Sequence, residues 1–365
     1  MKVDFFSLDK QYQNIKQEIN KEINRVLENQ SFILGNNVEE FEDRFARMHN
    51  AKYCVALNSG TAALHTALSI LGIENSDEVL VPTNSFFSTA EAVSIAGAKP
   101  VFVDNDRDYF HIDLEDAKKK LTKRTKFIIP VHLYGNPVNM QKLKKFAKEH
   151  NLEIIEDCAQ AHLATFKEKY VGNFGKVGCF SFYPSKNLGA YGEGGAIITN
   201  NKSLYEKALM FRNHGSSKRY YHEFIGHNYR LNGIQGAVLN VKLKYIDQFT
   251  NKRIELANIY HQQIIENEFL SLPKVRKDVK HVYHLFVIRH NNRDNLSEYL
   301  LKNSIGTSLH YPVPIHKQKA YKTTKYKQMN SDIISNEILS LPMYPELSKK
   351  QVKYVSEKIN SFNNV

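Results

Sequence analysis

The sequence has only three cysteines in 365 residues, Cys54, Cys158 and Cys179. They are far apart, sit beside apolar runs and have no metal-ligand spacing, so reduced structural thiols are expected and a disulfide framework is excluded. No window approaches the roughly 20 apolar residues of a membrane span. The amino-terminal MKVDFFSLDKQYQNIKQEI is charged and helix-patterned, unlike a signal peptide. A cytoplasmic protein with no membrane partner is the expectation. No G-x-G-x-x-G follows the first strand and no G-x-x-x-x-G-K-[ST] occurs anywhere, which disfavours a nicotinamide enzyme. A basic tail and a nucleic-acid motif are also missing, although the formal charge is +12. Basic residues are scattered, as in Lys118 to Lys120 and Lys349, Lys350, and read as solvated helix faces. The remaining reading is a field that draws in a small anionic substrate or a polyanion.

What is present is a core-forming chain, 42% hydrophobic, long enough for one large domain and a smaller one. Tyr12, Ile15, Ile19, Ile23, Val26 and Leu27 repeat at helical spacing, and a second helix is predicted from Val38 to Met48. Strands are expected at 53–58, 78–81, 100–103, 127–131 and 153–156, with helices over 86–96, 113–121 and 139–150 between them. This alternation predicts an α/β domain with a mostly parallel sheet. Such sheets bind ligands at the carboxyl ends of their strands, and Gly60, Phe86, His132 and Asp157 all fall just after strands. The first strand runs through Ser59, Gly60 and Thr61 into a helix, an order that suits either an anion site or a simple N-cap. GAYGEGGA at 189–196 resembles a phosphate loop only in its glycine count and reads as a turn before the strand AIIT. After about residue 249 the pattern changes. HVYHLFVIR at 281–289 predicts a strand, DNLSEYLLKN a helix and SLHYPVPIH at 308–316 an extended loop. The expected division is residues 1–248 as a large α/β domain and 249–365 as a smaller α+β domain.

Two residues carry potential chemistry. Lys186 sits in an apolar, small-residue setting between CFSFYP and NLGAYG, where burial disfavours the ammonium form and frees an amine to condense with an aldehyde. Asp157 closes an apolar strand, where a carboxylate needs a partner. A protonated pyridine nitrogen is one suitable partner, and capping a helix beginning at Ala159 is the plainer role.

DCAQAH, SFYPSKNLGAYGEGGAI, NSGTAAL, VPTNSF, VHLYGNP and GHNYRLNGIQGAVL together closely resemble the DegT/DnrJ/EryC1/StrS family of pyridoxal-phosphate-dependent nucleotide-sugar aminotransferases. The resemblance runs from FFSLDKQYQNI to LPMYPEL at 341–347. It implies the fold-type I α/β architecture and pyridoxal 5′-phosphate as cofactor, with pyridoxamine phosphate as the intermediate form. Lys186 matches the Schiff-base lysine and Asp157 the aspartate that keeps the pyridine nitrogen protonated. Gln160 matches the residue bonded to the phenolic oxygen, and Phe86 the stacking aromatic, with Phe87 left to the core. Gly60, Thr61 and Ser181 match the phosphate-binding groups. Asn228, in GHNYR, matches an asparagine that reaches the phosphate of a partner subunit, implying a homodimer with shared active sites.

The implied reaction is transamination from L-glutamate to a keto-sugar nucleotide. FYPSKN, rather than the FHxxKx form of C-4 enzymes, and LHYPVPIH, resembling the HYPxPxH loop of C-3 enzymes, favour amination at C-3. Tyr183, His310, Tyr311 and His316 are then the expected substrate contacts. A dTDP-3-keto-6-deoxyhexose is the first expected acceptor and a UDP-3-keto-N-acetylglucosaminuronate-type or C-4 keto sugar the alternative. A dehydratase relative would replace the lysine with histidine, and a non-catalytic regulator would not need Lys186, Asp157, Gln160 and the phosphate turn together.

Overall fold

The computed structural model describes residues 1–321, 326 and 329–363. Its centre is a seven-stranded sheet. In chain order the strands are β1 (Tyr53–Leu57), β2 (Glu78–Pro82), β3 (Lys99–Val103), β4 (Thr125–Ile128), β5 (Glu153–Asp157), β6 (Val177–Ser181) and β7 (Gly195–Thr199). Across the sheet they run β1-β7-β6-β5-β4-β2-β3. All neighbours are parallel except at β7, which is antiparallel to β1 and to β6. The expected mostly parallel α/β sheet is thus present.

Alternation along each strand divides the core between the two faces of this sheet. Val55, Leu57, Val79 and Val81 pack with helices α3 (Gly60–Ile70), α4 (Ser88–Ile95) and α7 (Lys202–Phe211). Cys54, Ala56, Phe180 and Phe182 face the other way, onto Phe41 and Phe45 of α2 (Asn36–Met48) and Leu239 of α8 (Gly233–Leu243). Both phenylalanines of α2 are fully buried, each contributing about 2–3 kcal/mol by area. Helix α1 (Asp9–Glu28) lies on α8 through Ile15, Ile19, Val238 and Val241. Helices α5 (Leu114–Lys119) and α6 (Met140–Glu149) complete the crossovers. Buried Glu42 accepts from Ala56 N at 2.7 Å and Arg212 donates to Ala56 O at 2.8 Å, while the two side chains pair with each other. This pins β1 immediately before the turn that begins α3.

A second sheet holds β8 (Leu270–Ser271), β9 (Phe286–His290) and β10 (Ile338–Leu341), all antiparallel. Its core includes Leu256 and Tyr260 of α9 (Ile246–Gln263), Leu296 and Leu300 of α10 (Arg293–Lys302), and Val352 and Val355 of α12 (Lys349–Asn363). α11 (Asn330–Glu337) runs into β10. Helix α9 starts with Ile246 in the core of the first sheet and continues with Leu256 in that of the second. The helix thus takes part in both cores. Val3, near the amino terminus, bridges to Ile305 and joins the second core.

Two local expectations change. No helix begins at Ala159; the chain makes a turn there, and the Asp157 carboxylate caps that turn. The strand expected over 281–289 is confined to Phe286–His290. Its first half turns instead, with Tyr283 at φ 45, because buried Arg253 gathers the carbonyls of Tyr283, His284 and Met343. No helix among the described residues is long and apolar enough to cross a membrane.

Candidate active site

The turn after β1 is tight for a steric reason. A Cβ on Gly60 would stand 2.7 Å from Ser181 Cβ, so only glycine lets the start of α3 approach the end of β6. Ser59 caps α3, its hydroxyl accepting from Ala62 N at 3.0 Å, and Thr61 donates to Ser88 at 2.8 Å. The first-turn amides of α3 therefore face a cavity with the positive end of the helix dipole behind them.

Asp157 ends β5 and is 5% exposed. Its Oδ1 accepts from Ala159 N at 3.1 Å and its Oδ2 from the Thr89 hydroxyl at 2.9 Å. Burial raises its pKa against those two donors and the charge of Lys186. Lys186 follows β6 in a loop whose backbone folds back on itself, Lys186 N donating to Tyr183 O at 2.8 Å. Asn187 Nδ2 donates across the domain seam to Val282 O at 3.0 Å. Lys186 keeps part of its surface open to the cavity, yet burial brings its amine down to about 8, with Asp157 opposing the shift.

A cavity of about 560 Å³ joins these groups. Gly60, Thr61, Phe86, Asp157, Gln160, Ser181, Tyr183, Lys186, His310 and Tyr311 all line it. Gln160 accepts from Tyr134 N at 2.6 Å and donates to Tyr311 OH at 3.1 Å, tying the two domains together. Phe86 is 56% exposed and its ring lies 5.6 Å from that of Tyr311, whereas Phe87 packs against the core. His310 bonds Ser340 at 2.9 Å and is brought down to about 4, chiefly by burial and then by the charge of Lys186.

Two expected residues are not in the cavity wall. Asn228 is exposed, held by Asn58 and by Arg230, whose guanidinium donates to Asn228 Oδ1. His316 is a correction to the expected substrate contacts. It is 1% exposed, bonded to Thr83 and 3.2 Å from Asp332, because the segment after Pro314 turns inward and Ile315 N donates to Thr83 O at 2.9 Å. The sequence reading also missed lining residues. Thr89 completes the seat of Asp157, and His284 and Glu193 stand in the wall. Nothing in spacing marks His284, since the turn that presents it was read as strand. A compact group of His132, Glu156 and Cys158 lies behind the site. There Glu156 accepts from Gly172, Phe174 and Gly175 amides and from His132, which reads as a structural knot.

The model of the DegT/DnrJ/EryC1/StrS aminotransferase family matches residues 13–360. The chain belongs to that family. It is 42% identical to dTDP-3-amino-3,6-dideoxy-alpha-D-galactopyranose transaminase of Aneurinibacillus thermoaerophilus, covering 99% of each chain. It is 40% identical to a pleiotropic regulatory protein of Geobacillus stearothermophilus, again over 99% of each. The solved structure of S. venezuelae DesV in complex with a ketimine intermediate superposes with a TM-score of 0.97 at 37% identity, covering 100% of this chain and 99% of that one. The protein is an enzyme, a sugar-nucleotide aminotransferase dependent on pyridoxal 5′-phosphate.

The residues of this aminotransferase fit that cofactor on their own geometry. The Gly60 turn and Ser181 form a cradle that a Cβ would fill, suited to a phosphate. Asp157 is a buried carboxylate with no cation bonded to it among the described residues, suited to a protonated ring nitrogen. Lys186 is an amine brought towards neutrality, suited to an aldehyde. When bound, the cofactor supplies an electron sink for the carbon that loses or gains a proton. Lys186 would then hold the cofactor and serve as the base and acid that moves a proton at that carbon. Asp157 would hold positive charge at the ring nitrogen.

Proposed function

We propose that the enzyme moves the amino group of L-glutamate to C-3 of a dTDP-3-keto-6-deoxyhexose, leaving 2-oxoglutarate and a 3-amino sugar nucleotide. The observation that carries this reading is the polarity of the cavity wall. Its charged lining groups are Asp157, Glu193 and Lys186, and no arginine lines it among the described residues. A UDP-3-keto-N-acetylglucosaminuronate-type acceptor, the second reading, would bring a sugar carboxylate for which the wall offers no cation besides Lys186 among the described residues. The 42% identical dTDP-amino-sugar transaminase and the HYPVPIH loop support the first. Lys186 and Asp157 are the catalytic pair in this proposal. Gly60, Thr61, Ser181, Phe86 and Gln160 hold the cofactor, and Tyr183, His310 and Tyr311 meet the sugar. The relative named as a regulator does not argue against turnover, because Lys186, Asp157, Gln160 and the Gly60 turn converge here on one cavity.

The working form in this reading is a homodimer in the cytoplasm. Asn228 stands at the base of an arm whose Tyr220, Tyr221, Phe224 and Ile225 are exposed, Ile225 to 92%. Apolar side chains gathered in this way suit a protein surface, and a second copy of the chain is the occupant that gives Asn228 a phosphate to reach. Mixing Asn228→Ala chains with Lys186→Ala chains should restore activity in heterodimers, and none would regain it if each site were complete in one subunit.

The acceptor is tested by supplying L-glutamate with a panel of 3-keto and 4-keto sugar nucleotides, uronates included, and locating the new amine by NMR. Preferred amination of a uronate, or at C-4, would overturn the assignment.

A further inference from the structure

His284 differs from the other buried polar groups of the cavity wall. Asp157, Gln160, Thr61 and His310 all have protein partners. The His284 imidazole makes no hydrogen bond among the described residues, although the residue is 6% exposed and its Nδ1 is buried. Leaving a polar ring unpaired costs stability, and because Nδ1 is closed off while His284 lines the cavity, Nε2 is the nitrogen that a ligand there can reach.

Its seat is built firmly. Arg253 Nη1 donates to the carbonyls of Tyr283 and His284, each at 3.2 Å, and to Met343 O at 2.8 Å. Val282 N donates to Gly135 O at 3.0 Å, and Asn187, next to the tethering lysine, holds Val282 O. A Cβ on Gly135 would come within 3.1 Å of His284 N, so the two backbones are in close contact. The ring is thus presented to the cavity from a locked turn. Burial, aided by the charge of Lys186, holds it well below the usual histidine range, so it is neutral at physiological pH.

We infer that His284 is a ligand-contacting residue, donating an imidazole N–H to an oxygen beside the reacting carbon in both half-reactions. That oxygen belongs to the α-carboxylate of the amino donor in one and to the keto sugar in the other. The inference rests on the proposed function for the identity of the second ligand. A neutral imidazole keeps one N–H donor and suits both partners. A guanidinium in the same place would favour the carboxylate and be left poorly paired by the neutral sugar.

The test separates the half-reactions. Cofactor-loaded wild type, His284→Ala and His284→Gln are compared in the donor half-reaction with L-glutamate, followed by absorbance. They are then compared in the acceptor half-reaction, starting from the aminated enzyme and the preferred keto-sugar nucleotide. His284→Ala should weaken apparent affinity about tenfold in each, with unchanged thermal unfolding and cofactor spectrum, and His284→Gln, which keeps an N–H, should recover part of it. In wild-type enzyme with ¹⁵N-labelled histidine, the His284 nitrogens should shift when the non-reacting analogue 2-methylglutamate binds. Unchanged affinities, a loss in only one half-reaction, or an unmoved His284 signal would each overturn the role. Should His284→Ala not fold, the glutamine variant and the wild-type spectra still decide. Failure of the wild type to accept any keto sugar would count against the proposed function, while the donor arm would still read His284.

Discussion

The two walls of the cavity are built by different means. On the sheet side, Asp157 and Ser181 end parallel strands, and Gly60 and Lys186 follow strands closely. Ladder hydrogen bonds and tight glycine contacts leave these groups little freedom, and they include the lysine and aspartate proposed as the catalytic pair. On the opposite side, His284, His310 and Tyr311 come from turns and loops of the carboxyl-terminal region. Burial keeps all three neutral, pushing the Tyr311 phenol up and both histidines down. In the proposed reading, charge is concentrated where electrons and protons move, and recognition is left to neutral hydrogen bonds. Substitutions should therefore separate cleanly, with kcat lost on the sheet side and affinity lost on the loop side.

The largest effect is expected for Lys186→Ala. With tether and proton carrier removed, turnover should fall by about 10⁴-fold or more while the circular dichroism spectrum stays native. Substantial residual transamination would break the assignment. Asp157→Asn keeps the shape and removes the charge, so kcat should fall roughly 10²- to 10³-fold with a smaller change in the KM for L-glutamate. A change confined to KM would place Asp157 on the recognition side instead. Cofactor-free protein gives a third measure. Burial lowers the Lys186 amine to about 8, so labelling by an amine-selective reagent should rise with pH through a midpoint near that value. The Asp157 charge opposes this shift, and removing it in Asp157→Asn should move the midpoint lower still. A midpoint near 10 would mean that the amine is solvated.

The same division governs what could be read from the chain. The sheet wall was legible because strand ends, helix starts and glycine turns leave periodic and compositional marks. Asp157 follows an apolar run, Lys186 stands between two, and the Ser59-Gly60-Thr61 turn joins strand to helix. Strand positions were recovered to within a few residues for the same reason. The loop wall was visible only through motif resemblance, and then incompletely. His284 was hidden because HVYHLFVIR has the composition of a strand, while a distant arginine, Arg253, turns its first half. The inward course of His316 depends on Thr83, more than two hundred residues earlier in the chain, and no local pattern records such a contact.

Smaller effects should come from the loop wall. Tyr311→Phe removes the hydroxyl that receives the Gln160 amide at 3.1 Å. Loss of that bond and of its hydrogen-bonding capacity towards a sugar should raise the acceptor KM about tenfold, with kcat changed less. A larger loss in kcat than in KM would show that the two walls are not separate in function.

The smallest kinetic effect is expected at His316, and there the distinction between wall and scaffold can be tested directly. The residue lies in the same loop as His310 and Tyr311 but is bonded to Thr83 and stands 3.2 Å from Asp332, away from the cavity. His316→Ala takes the imidazole from the buried Thr83 hydroxyl, while Asp332 keeps Lys317 at 2.9 Å, at a cost of about 1–3 kcal/mol. Thermal unfolding should therefore move down by a few degrees, while KM and kcat for both substrates stay within about twofold of wild type. A raised acceptor KM with unchanged stability would instead make His316 a sugar contact, as the motif alone suggested. It would also mean that the loop reorganises when substrate enters.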